Sequence, residues 1–182
     1  MAMIIVVAIL ILILLYGVAI YNKLVRLRNQ SEESAAQIDA NLKKRFDLVP
    51  NLVETVKGYA KHEKGTLTAV IEARNKAMSA TTLTEKNEAA NALSSTLKSL
   101  FALSESYPDL KANQGFLDLQ NQLHRIENDL LQARKYYNAI IGDINTMVQT
   151  IPSSFVASIA RFSKLPYLEI EEEAKGRVDV RF

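Results

Sequence analysis

Three observations predict an all-α fold: an N-terminal transmembrane helix followed by an antiparallel bundle of about four long helices with coiled-coil character. Residues Met1 to Asn22 carry no charged side chain. Beyond them, apolar residues recur at spacings of three and four through most of the chain. Gly and Pro are sparse, 6 and 4 in 182 residues, which suits long helices better than a turn-rich β fold. The expected division is an anchor over 1–22, a helical bundle over 23–152 and an amphipathic, acidic tail over 153–182.

The apolar run from Met3 to Leu15 is almost pure Ile, Val and Leu. A helix over the first 22 residues spans roughly 33 Å, against about 30 Å of bilayer hydrocarbon. A cleaved signal peptide would have an early basic residue, a shorter apolar run and a small-x-small cleavage site. The first charge here is Lys23, so the run reads as an uncleaved anchor. Lys23, Arg26 and Arg28 follow it, and the positive-inside rule then puts the N-terminus outside and the C-terminal domain in the cytoplasm. The span has no ionisable group in its core and Gly17 stands alone, so neither a conduction path nor a GxxxG contact is marked.

Four helical stretches follow. In the first, Ala35, Ile38, Leu42 and Phe46 share a face, and Asp47-Leu48-Val49-Pro50 is expected to stop it. Folding back and kinking at Pro50 are both open on the sequence. The second, Pro50 to Ala80, aligns Leu52, Val56, Tyr59, Ala60, Leu67, Val70, Ile71 and Met78. Gly58 and Gly65 weaken it by about 1 kcal/mol each relative to alanine. Thr82 and Glu85 form a capping-box pattern that starts the third, which runs to Tyr107 before Pro108. The fourth has the strongest signal: Phe116, Leu119, Leu123, Ile126, Leu130, Ala133, Tyr137, Ile140, Ile144, Met147 and Ile151 form an a/d seam, ended by Pro152. In the tail, Phe155, Val156, Ile159 and Phe162 suit a short amphipathic helix with Arg161 and Lys164 beside it. An acidic cluster follows (Glu169, then Glu171 to Glu173), and Arg177 to Phe182 alternates like a short strand. This tail is expected to pack along the bundle, bind a partner or touch the membrane surface.

Chemistry-bearing motifs are missing. Net charge is +2, too near neutrality to argue for nucleic acid. The chain has no cysteine, which excludes disulfides, thiolate metal sites and a cysteine nucleophile. His62-Glu63 is not a zinc-protease motif, because Thr66 stands where the second histidine belongs. Neither a Walker loop, a dinucleotide fingerprint nor a nucleophile elbow occurs, so no catalysis, metal or cofactor is expected. Lys43-Lys44-Arg45, with Glu32, Glu33 and Asp39 nearby, reads as a solvated mixed-charge face, and the acidic cluster as a soluble segment. Glu127, Arg134, Asn138 and Asn145 form a polar stripe beside the seam. Inside a bundle they could meet Asp39, Arg45, Asp47, Asn51 or Arg74 and specify register, since buried polar groups must find partners.

A family resemblance rests on residues spread over the chain. Tyr21-Asn22, Leu24-Val25, Ile38-Asp39, Leu42-Lys43, Arg45 and above all Asp47-Leu48 with Pro50-Asn51-Leu52-Val53 resemble the LemA family. So do Ala73-Arg74, Tyr107-Pro108 with Leu110-Lys111-Ala112, Glu127-Asn128, Ala133-Arg134 with Tyr136-Tyr137-Asn138, Asn145-Thr146 and Pro152-Ser153. Ile144 stands where an aromatic residue is usual, and the tail after Phe162 matches only loosely. The resemblance implies a bacterial membrane protein with one N-terminal span, a helical soluble domain and, in some members, an N-out, C-in topology. Related proteins include one associated with magnetosome membranes, and family genes often neighbour those of membrane proteases. The resemblance implies neither a reaction nor catalytic residues. The resulting expectation is a scaffold of the bacterial cell membrane whose partners are the lipid bilayer, copies of itself and another membrane protein. An adaptor or regulator of a membrane enzyme is the alternative.

Overall fold

The structure is a computed structural model that describes residues 1–170. Among them the regular elements are all helical: α1 (Ala2–Tyr59), α2 (Lys64–Ser79), α3 (Leu83–Ser104), α4 (Pro108–Lys111), α5 (Gln114–Gln149) and α6 (Ser153–Ile159). The strand-like alternation at Arg177 to Phe182 and the acidic Glu171 to Glu173 lie outside the described residues. The chain divides into two compact units. Unit 1 holds Met1–Ala36 with Lys135–Tyr167, and unit 2 holds Gln37–Arg134 with the segment from Leu168.

Unit 1 combines the start of α1, the end of α5 and α6. Leu27 packs with Ile140, Ile141 and Ile144, joined by Tyr137, Met147, Val148 and Leu165. A second cluster sets Ile20 and Leu24 against Ala157, with Val156 and Phe162 around them. The chain leaves α6 through a Schellman turn: Phe162 N–H donates to the Ala157 carbonyl at 2.9 Å and Arg161 N–H to that of Ser158 at 3.2 Å. The left-handed position this turn requires is filled by Arg161, at φ 58°.

In unit 2 one face of α1 is buried (Ile38, Leu42, Phe46, Val49, Val53 and Val56), as are Ala60 after it, Val70 of α2, Leu93, Leu97 and Leu100 of α3, and Phe116, Leu123 and Leu130 of α5. The rings of Phe101 and Phe116 meet edge to face, 6.1 Å between centroids. The Thr82–Glu85 capping box forms as the sequence indicates. Backbone N–H groups of Thr82 and Thr81 both donate to the Glu85 carboxylate and hold its pKa down to about 2. Asn113 starts α5, accepting from Phe116 N–H at 2.9 Å while its amide donates to the Tyr59 hydroxyl.

The expected stop at Pro50 is corrected: α1 runs through it to Tyr59, and the break comes at residues 60–63, between Gly58 and Gly65. A proline inside a helix leaves the carbonyl four residues earlier without its donor. Here that carbonyl belongs to Phe46, and Arg74 Nε of α2 donates to it at 2.8 Å. Val49, Leu52 and Val53 on either side of Pro50 are buried, so packing holds the helix where propensity would end it.

The Pro50–Arg74 relationship predicts a coupled response. Arg74→Met should cost about 2 kcal/mol in thermal unfolding, because a charge-assisted hydrogen bond is lost and a carbonyl is orphaned. In a Pro50→Ala background, whose restored N–H satisfies the same carbonyl, the cost should fall below about 1 kcal/mol.

Candidate functional site

The polar centre of unit 2 is Arg45. Its position on α1 falls beside the apolar face of Leu42, Phe46 and Val49, so the side chain enters the bundle and only 4% of the residue remains exposed. Space for the guanidinium comes from small residues on α3. Nη2 donates to Ser94 Oγ at 2.9 Å and Nη1 to the Ala90 carbonyl at 3.4 Å. On α5, Glu127 Oε2 lies 2.9 Å from Nη1. One cation thus ties three helices together. The Glu127 side chain keeps 39% of its surface exposed, so only one half of the pair bears the full desolvation cost.

Beside this junction lies a cavity of about 320 Å³, lined by Arg45, Ser94, Lys98, His124, Glu127 and Arg134 over an apolar floor of Leu97, Phe101 and Leu123. Arg45, Lys98 and Arg134 bring positive charge to this lining and Glu127 negative charge. The Ser94 hydroxyl directs its proton to the Ala90 carbonyl at 3.1 Å and is held by a guanidinium, an arrangement that does not generate a nucleophile. Among the described residues no group of three or more His, Asp or Glu side chains converges to hold a metal ion. His62 and His124 are both exposed.

The residues singled out by sequence reach different ends. Arg45 and Glu127 pair directly. Asp39 pairs with Lys86 of α3 at 2.7 Å. Arg74 serves the Phe46 backbone and no acidic side chain. Asp47 and Asn51 stand exposed on α1, away from any buried network. Arg134 is buried at the cavity wall with 3% exposed. Asn138 and Asn145 belong to unit 1, where Asn138 is half-buried and Asn145 is buried. Lys86, Ser94 and Asn87 went unmarked in the sequence. Asn87 donates its amide to the Glu169 carbonyl at 2.8 Å and so fixes the start of the tail segment in unit 2.

Asn145 performs the corresponding task in unit 1. Its Nδ2 donates to the Leu165 carbonyl at 2.9 Å, and its Oδ1 accepts from Leu165 N–H at 2.8 Å. A single amide side chain therefore replaces a pair of sheet-like backbone bonds for the extended chain that follows α6. No other neutral side chain of this length offers both a donor and an acceptor in that geometry.

Asn145→Ala should free both Leu165 groups, costing about 2 kcal/mol and accelerating hydrogen exchange at the Leu165 amide. Asn145→Asp keeps the acceptor but sets a carboxylate oxygen against the Leu165 carbonyl, and should be no better than alanine.

Residues 34–182 match the model of the LemA family. The protein named Protein LemA from Metamycoplasma hominis is 26% identical over 162 residues, covering 87% of this chain and 73% of its own length. The matched region takes in both the Arg45 junction and the Asn145 clasp, and the chain belongs to the LemA family.

Proposed function

We propose that this chain is a single-span, membrane-tethered helical scaffold that acts by binding, either to copies of itself or to another membrane protein, and carries out no reaction. The observation that carries the reading is the first third of α1. It is long and apolar enough to cross a membrane, and only 6% of its most apolar 18-residue window is buried within the chain. Ile4, Leu10 and Leu14 are each at least 60% exposed. Such a surface needs a bilayer around it. The same helix then enters the core at Ile20 and Leu24, which supports an anchor that stays attached, because cleavage behind the apolar run would remove Ile20 from its cluster. The exposed Lys23, Arg26 and Arg28 support a cytoplasmic C-terminal domain and an external N-terminus at the bacterial cell membrane.

The a/d seam of α5 is turned inward: Phe116, Leu123 and Leu130 are buried in unit 2, Ile140 and Ile144 in unit 1. Contacts between copies would therefore use the span and the remaining exposed apolar residues. The second reading is an adaptor or regulator for a membrane enzyme such as a protease, in which a different protein covers those residues.

Light scattering on the full-length chain, gently solubilised from its native membrane, separates the two. A species of several copies alone supports self-assembly, and a stoichiometric second protein supports the adaptor. A bare monomer with no partner would contradict scaffolding of either kind.

A further inference from the structure

The turn into α6 and α6 itself leave three large apolar side chains in the open: Ile151 is 79%, Phe155 65% and Ile159 85% exposed. They recur every four residues, on the side of α6 opposite the buried Ser153 and Ala157. Nothing in unit 1 requires them there. The Schellman turn ends the helix at Ile159, and it is Phe162, beyond the turn, that packs back into the cluster. A helix of seven residues that bares Phe155 and Ile159, with Ile151 just before it, is poorly suited to water on that side.

The position of α6 identifies what covers that surface. Its buried Ala157 packs on Ile20 and Leu24 of α1. Those two residues straddle the end of the uncharged run, whose first charge is Lys23. They are one helical turn apart, about 6 Å along the axis. α6 therefore lies beside the point where α1 passes from apolar to charged sequence. Charge agrees with position. From residue 1 to 31 and from 144 to 168 the chain contains no acidic residue, while Lys23, Arg26, Arg28, Arg161 and Lys164 are exposed cations.

Resting on the reading of α1 as a membrane anchor, we infer that α6 is an interfacial membrane helix. Ile151, Phe155 and Ile159 enter the acyl boundary of the same leaflet that α1 leaves, and Arg161 and Lys164 meet anionic phospholipid headgroups. Short amphipathic segments hold to bilayers by this combination of apolar burial and basic charge. The anchor removes the entropic cost of bringing α6 to the surface, so three side chains suffice where a free peptide would need more. The inference gives the domain two attachments to the membrane, a span and a second element that sets its tilt.

The cysteine-free chain makes the test direct. Phe155→Cys and Leu10→Cys, each the single thiol of the full-length protein, carry an environment-sensitive fluorophore in vesicles of phosphatidylcholine and phosphatidylglycerol. Ile159→Cys serves as a second probe of the same face. Shallow nitroxide-labelled lipid should remove roughly half the emission at 155 and 159, as for a group 5–10 Å into the interface, while aqueous iodide removes little. The Leu10→Cys label should respond to deep nitroxide. Iodide quenching at 155 and 159 with lipid quenching at 10 would overturn the inference and leave the anchor standing. Shielding of 155 and 159 from both quenchers would also overturn it, by showing a protein on that face. Iodide quenching at all three positions would overturn the anchor reading and this inference together.

Discussion

Burial of the Arg45 guanidinium is the constraint on which unit 2 depends. A cation that cannot lose its proton must be met wherever it is buried, so α3 and α5 have to present acceptors to α1 at fixed heights. Ser94 and the Ala90 carbonyl set the height of α3, and Glu127 sets that of α5. Apolar contacts alone tolerate sliding by a turn, because one leucine replaces another along a seam. A planar donor fork does not. Asp39 with Lys86 repeats the lock two turns earlier on α1, near the surface, where screening makes it weaker. The cavity lies beside the same arrangement, with Arg45, Ser94 and Glu127 in its wall.

The helices themselves were legible because each rests on a local signal. The capping box at Thr82 and Glu85, the three-four seam from Phe116, and the uncharged first 22 residues each depend only on near neighbours. Pro50 misled for the same reason. Local chemistry argues for a stop, and the remedy is an arginine 28 residues beyond Phe46 whose Nε replaces the missing donor. A signal was nevertheless present: Ile38, Leu42, Phe46, Val49, Val53, Val56 and Ala60 keep helical spacing straight through the proline. Periodicity carried across a breaker marks a helix whose packing outweighs a single lost bond.

Legibility was lower for the polar residues. Pairing Arg45 with Glu127 was accessible, because both flank apolar seams and bear opposite charge. Ser94 was not, since a serine on a helix is as readily a solvated residue as a buried acceptor. Arg74 and Asn145 were expected to meet side chains and instead serve backbone groups, at Phe46 and Leu165. Backbone partners leave no trace in residue type, so matching charges along a sequence cannot find them.

The two units differ in surface chemistry. Unit 1 carries the apolar run, the exposed face of α6 and the basic residues around them. Unit 2 carries a cavity of mixed polar and apolar lining beside the Arg45–Glu127 pair.

Thermal unfolding of Arg45→Ala against the parent chain is the most direct test of this account. If the guanidinium joins three helices, its removal orphans their acceptors and opens a void, and stability should fall by about 3 kcal/mol. Glu127→Gln, which keeps an acceptor oxygen but removes the compensating charge, should cost less than Arg45→Ala. An Arg45→Ala variant that melts with the parent would contradict the account, and would mean that apolar packing alone positions α1, α3 and α5.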